Sequence, residues 1–158
     1  MDKQYYPTEI EEKWVKIWSE RKVSNKGSSE SFSQVIPPPN VTGTLHMGHS
    51  FQYAIMDFYT RYHHMSGKDA HWQVGADHAG IATQMVVENN LAKDGITRTD
   101  LGREKFLEEV WSWKGYSEEK ITSQIKRLGN TIDWEKYRFT LDDGFNEAVI
   151  KAFVELHR

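Results

Sequence analysis

Pro37-Pro38-Pro39-Asn40-Val41-Thr42-Gly43-Thr44-Leu45-His46-Met47-Gly48-His49 is the stretch on which the fold turns. Ahead of it, Phe32-Ser33-Gln34-Val35-Ile36 reads as a short buried strand. Behind it, apolar residues recur at helical spacing from Phe51 to Met65. The stretch is therefore a strand-to-helix turn. Its prolines force an extended exit from the strand, because a residue before proline is pushed out of the α region. Gly43 is expected to take backbone angles that other residues resist. The two histidines fall at the start of the helix, three residues apart and so on one face. Free N–H groups and a partial positive charge make such a helix start an anion site, and Gly48 puts no side chain between the rings. Two imidazoles there suit a polyphosphate. Two histidines at this spacing are also ordinary surface or core residues, and the pair by itself does not choose.

Working outward, the helix from about Leu45 to Met65 should turn Phe51, Ile55, Phe58, Tyr59 and Tyr62 inward and stop at Gly67. Asp69–Val74 then reads as a second strand. Strand, helix, strand predicts a βαβ unit with parallel strands, and in such sheets ligands lie beyond the carboxyl ends of the strands. The second strand ends at Gly75-Ala76-Asp77-His78-Ala79-Gly80, whose small residues leave room for a ligand. Asp77 offers a carboxylate for an ammonium group, or is a turn aspartate bonding its own backbone.

Residues 8–22 read as an amphipathic helix, with Thr8 and Glu11 at capping-box spacing and Ile10, Trp14, Ile17 and Trp18 as its stripe. Residues 24–31 form a polar loop. Beyond the Asp77 loop, helices are expected over 81–94, from Asp100 to about Lys114, over 117–128, and from a Thr140 cap onward. This gives an α/β chain: residues 1–31 are a leading helix and loop, and 32–158 a βαβ unit followed by a mostly helical region.

Composition narrows the partners. A net charge of −3 over 158 residues supplies no global basic field, so any RNA contact must use a local patch. The chain lacks cysteine, which excludes disulfides and thiolate zinc sites and fits a reducing cytosol. No run is long enough for a membrane span, and the first residues carry no signal-peptide core.

The whole PPPNVTGTLHMGH stretch resembles the HxGH signature of class I aminoacyl-tRNA synthetases, in the form found in valyl-tRNA synthetases. GADHAGIATQ resembles the same family, which usually carries Thr where this chain has Ala76, and Arg127–Trp134 resembles its next recognisable stretch. The resemblance runs from about Tyr5 onward and implies the first half of a Rossmann-like catalytic domain. It also implies an enzyme that activates valine with ATP and Mg²⁺ and esterifies it to tRNA(Val) in the cytoplasm. By this likeness His46 and His49 are catalytic and, with Gly48, bind ATP. Pro37, Asn40 and Asp77 bind valine, Asp77 through the α-ammonium, and no residue is assigned to a protein-held metal. The family's lysine-bearing KMSKS signature does not occur in these residues. Neither an editing domain nor an anticodon-binding domain fits in them, so the 158 residues alone are expected to fold marginally, to self-associate and not to charge tRNA. Two other readings stay open: a non-catalytic module that keeps the nucleotide pocket, and a small nucleotidylyltransferase sharing the HxGH turn.

Overall fold

The structure, a computed structural model, describes residues 4–20 and 29–158. The elements, in chain order, are α1 (Pro7–Glu20), β1 (Ser31–Val35), α2 (Met47–Met65), β2 (Asp69–Gln73), β3 (Gly75–Ala76), α3 (Gly80–Lys93), α4 (Arg98–Arg127), a 3₁₀ turn (Trp134–Lys136), β4 (Arg138–Phe139) and α5 (Asp143–His157). The class is α/β, with β1 parallel to β2 and β3 parallel to β4. The end of the expected first helix and most of the expected polar loop lie outside the described residues. Among the described residues, no helix is long and apolar enough to cross a membrane. The chain divides into two compact units. The first takes the described part of Met1–Ile36 with Leu45–Val74 and Thr122–Lys136; the second takes Pro37–Thr44, Gly75–Ile121 and Tyr137–Arg158.

In the first unit β1 and β2 run in register from Ser31 opposite Asp69 to Val35 opposite Gln73, with α2 connecting them as the βαβ pattern implied. The buried strand is β2, where Trp72 is 1% exposed. β1 is not buried as expected: it alternates between exposed and half-buried, and Ile36 just past its end is the buried residue. With one strand neighbour among the described residues, it has only one edge covered.

The expected inward stripe of α2 is overturned. Phe51, Ile55, Phe58, Tyr59 and Tyr62 are exposed, and Tyr53, Asp57 and Thr60 are the buried positions. Hydrogen bonds select that face. Asp57 Oδ1 accepts the Thr131 N–H at 2.6 Å, and its Oδ2 accepts Arg61 Nε at 2.6 Å. Arg61 Nη2 donates in turn to the Gly129 carbonyl at 2.7 Å. Gln34 Nε2 donates to Thr60 Oγ1 at 2.6 Å. A buried polar group left unpaired costs on the order of 1–3 kcal/mol, so these partners outweigh the apolar spacing. α1 begins at Pro7, a residue suited to the first helical position, and not at a Thr8 cap. Its Trp18 ring lies where a side chain at residue 129 would be: a Cβ on Gly129 would come 2.4 Å from it.

The second unit is built on a close backbone approach. A Cβ at Gly75 would sit 2.5 Å from the Arg138 carbonyl oxygen, so glycine is what lets β3 and β4 pair. Val41, Ala76 and Phe139 form a buried cluster there, with Tyr137 packed against it. Ala79 turns the chain into α3 with φ 44, a left-handed conformation that costs energy for a residue with a Cβ. Thr83 stabilises that turn by donating its hydroxyl to the His78 carbonyl at 2.6 Å. α4 opens with a reciprocal cap between Thr97 and Asp100, so Asp100 sits inside the first turn and not at its head. Thr97 holds the Asp100 carboxyl below its ordinary range through side-chain and backbone hydrogen bonds. The helix breaks at Gly102 and then runs unbroken past Gly115, where two helices were expected. A helical glycine costs about 1 kcal/mol, and anchors flank this one. Trp113 Nε1 donates to the Val41 carbonyl and Ser117 Oγ to the Gly43 carbonyl, both at 2.9 Å. α5 is capped by Asp142, whose carboxylate accepts the Phe145 N–H at 2.9 Å, and not by Thr140.

Candidate functional site

The histidine pair belongs to the first unit. His46 is the N-cap residue of α2, and His49 lies in its first turn. His46 Nδ1 accepts the Gly48 N–H at 3.1 Å, and His49 Nδ1 accepts the His46 N–H at 3.2 Å. The rings lie 3.9 Å apart between centroids. Since both Nδ1 atoms accept, the proton of each neutral ring is on Nε2. The cap thus leaves two N–H donors beside a helix N-terminus, where the partial positive charge also favours an anion. Burial, and then the neighbouring His46, holds His49 below the ordinary imidazole pKa, so it is neutral at pH 7. Gly48 has a structural reason beyond ligand access: a Cβ there would lie 2.9 Å from His46 Cε1 and displace the ring. Gly43 is not among the glycines with positive φ, so the turn does not use the freedom expected of it.

The second unit holds Pro37, Asn40 and Asp77. The two loops run side by side: Asn40 forms a parallel bridge with Asp77, the Asp77 N–H donates to the Pro39 carbonyl at 2.9 Å, and the Asp77 carbonyl accepts the Val41 N–H at 3.0 Å. Pro37 and Asn40 are exposed, and Asp77 is half-buried. The Asp77 side chain does not cap its own loop. Its Oδ1 accepts the Thr140 hydroxyl at 2.9 Å. That hydroxyl also accepts the His78 backbone N–H at 2.9 Å and lies 2.6 Å from His78 Nδ1. Thr140 gives its single proton to the carboxylate, so His78 Nδ1 is the donor. A mostly apolar cavity of about 130 Å³ lies beside His78, walled by Val41, Val110, Trp111 and Phe139; neither Asn40 nor Asp77 lines it.

Sequence reasoning missed two kinds of support. Thr140 and Asp142 are both capping types near one helix start, and nothing local says which one caps. The anchors Trp113, Ser117 and Gln124 carry no motif, although the four-residue step from Trp113 to Ser117 places both on one helix face. In the first unit Gln124 Oε1 accepts the Leu45 N–H at 2.9 Å.

This combination of a βαβ unit, a histidine-capped helix and an aspartate loop is the early portion of a class I synthetase fold. The family model for tRNA synthetases class I (I, L, M and V) matches residues 9–158, and the chain belongs to that family. It is similar to the valine–tRNA ligase of Acinetobacter baylyi, with 57% identity over 154 residues, covering 97% of this chain and 16% of that protein. The chain thus spans well under a fifth of that relative's length. Among solved structures it resembles the LeuRS of Agrobacterium radiobacter in its ternary complex with tRNA and LeuAMS. The TM-score is 0.75 over 98% of this chain and 18% of that one, at 21% identity, which speaks for the fold alone.

Proposed function

We propose that this chain serves in the valine-activating domain of a valine–tRNA ligase. In this role a valine carboxylate oxygen attacks the α-phosphorus of ATP, the bond to the bridging oxygen breaks, and pyrophosphate leaves with its electron pair. A hydroxyl of tRNA(Val) then attacks the acyl carbon and releases AMP. No general base is needed for the first step, because the carboxylate is already ionised.

His46 and His49 would hydrogen-bond the phosphate oxygens through Nε2, most strongly as charge shifts in the transition state. Gly48 would let the nucleotide lie close to the helix start. Pro37 and Asn40 would line the valine site, and Asp77 would pair the α-ammonium. Magnesium would enter with the triphosphate and offset its charge; among the described residues no cluster of three or more histidine and carboxylate side chains offers it a protein cage. The observation that carries this reading is the pair of Nδ1-locked imidazoles on the N-terminus of α2.

ATP–pyrophosphate exchange tests it, run with a full-length valine–tRNA ligase that carries this chain. Valine should support exchange, and threonine should be rejected by only about a hundredfold, since an apolar pocket discriminates weakly against an added hydroxyl. A preference for isoleucine or leucine would refute the valine assignment. ATP binding without any exchange would favour a binding module.

A further inference from the structure

We propose that Thr140 is the positioning residue for the ammonium-binding carboxylate, an inference that rests on the role given above to Asp77. A carboxylate that pairs an ammonium must be held in one rotamer and keep an oxygen free. Thr140 meets both needs. Its hydroxyl donates to Asp77 Oδ1 at 2.9 Å. It is itself fixed by two donors from the next residue, the His78 N–H at 2.9 Å and His78 Nδ1 at 2.6 Å. The Thr140 N–H donates to the Ala76 carbonyl at 3.2 Å, which ties its backbone to the residue preceding Asp77. Asp77 Oδ2 has no hydrogen-bond partner among the described residues and is the oxygen left for a ligand. His78 Nδ1 lies 3.3 Å from the same Oδ1, farther than the 2.9 Å hydroxyl, so both groups hold one oxygen of Asp77 and leave the other open, with Thr140 the nearer of the two. The residue lies 63 positions from its target, at the end of β4, where a helix cap was expected.

The test uses a full-length valine–tRNA ligase carrying this chain, with Thr140→Val, Thr140→Ser and Asp77→Asn compared in pyrophosphate exchange. Thr140→Val keeps the shape and removes the hydroxyl. It should raise the KM for valine roughly tenfold, the scale of losing one hydrogen bond to a charged group, and leave the KM for ATP unchanged. Thr140→Ser should restore the valine KM. Inhibition by 3-methylbutanoate, which is valine without its amino group, should not change in Thr140→Val, because the lost contact serves only the ammonium. If Asp77→Asn weakens valine while Thr140→Val does not, this inference is wrong and the Asp77 role stands. If Asp77→Asn leaves the valine KM unchanged, the Asp77 role falls and this inference falls with it. A Thr140→Val enzyme impaired equally for ATP, valine and 3-methylbutanoate, or one that Thr140→Ser does not rescue, would show a purely structural residue and overturn the proposal.

Discussion

Gln124 Oε1 accepts a hydrogen bond from the Leu45 backbone N–H at 2.9 Å, one residue ahead of the imidazole that caps α2. Removing the acceptor leaves a half-buried N–H unpaired, at a cost of about 1–3 kcal/mol. Gln124→Leu should therefore raise the KM for ATP in pyrophosphate exchange more than that for valine. Gln124→Glu keeps an acceptor and should stay near wild type. Unaltered ATP kinetics in Gln124→Leu would remove this residue from the support of the histidine turn.

The imidazoles themselves should matter more. His46→Ala or His49→Ala, each in a full-length enzyme, should slow adenylate formation by about 2–4 kcal/mol of activation free energy, the scale of losing one preorganised donor. The check is the exchange rate at saturating valine and ATP. Wild-type rates in both variants would show that the rings do not touch the reacting phosphate.

Gly48→Ala separates helix formation from ring placement. Alanine is the better helix former by about 1 kcal/mol, yet its Cβ would press on His46 from 2.9 Å. The helical circular dichroism signal should hold or rise, while exchange activity falls toward that of His46→Ala. Full activity would mean that the ring tolerates displacement.

The cap should weaken in acid. His49 Nδ1 accepts a hydrogen bond only when unprotonated, and its pKa in the folded chain lies below the ordinary 6.5. Between the two values the unfolded chain binds the extra proton, so stability rises with pH there. The contribution is complete above 6.5 and is lost as pH falls through the lowered value. The protection factor of the His46 amide, compared with that in a His49→Asn variant, should fall below that pH only when the histidine is present. A flat profile would contradict the Nδ1 assignment.

Local signals made the turn, α2 and the parallel β1–β2 pair legible. A proline run, helical periodicity and the alternation of Ala70, Trp72 and Val74 with polar neighbours each carry their meaning within a few residues. The β3–β4 pair could not be read, since two-residue strands have no period and Gly75 meets Arg138 from far along the chain. The buried face of α2 was misread because apolar spacing cannot show that Asp57 and Thr60 have partners waiting at Thr131 and Gln34. Among the candidate residues, His46, His49 and Asp77 stand out by residue type, whereas Thr140 and Gln124 make contacts that only the fold creates.

The double use of each imidazole at the head of α2 limits what could replace it. Nδ1 serves the backbone as an acceptor, leaving the Nε2 N–H as a donor for the proposed phosphate contact. Lysine and arginine would bring a permanent positive charge to a phosphate, but they have no acceptor to give the helix. Aspartate would cap well and repel the anion. Asparagine alone among the small capping residues both accepts and donates through separate atoms. A chain free to choose only the strongest cation would lose the helix start that aims it. The position thus calls for a bifunctional side chain, and a library of substitutions at 46 and 49 should retain asparagine and glutamine ahead of lysine and arginine.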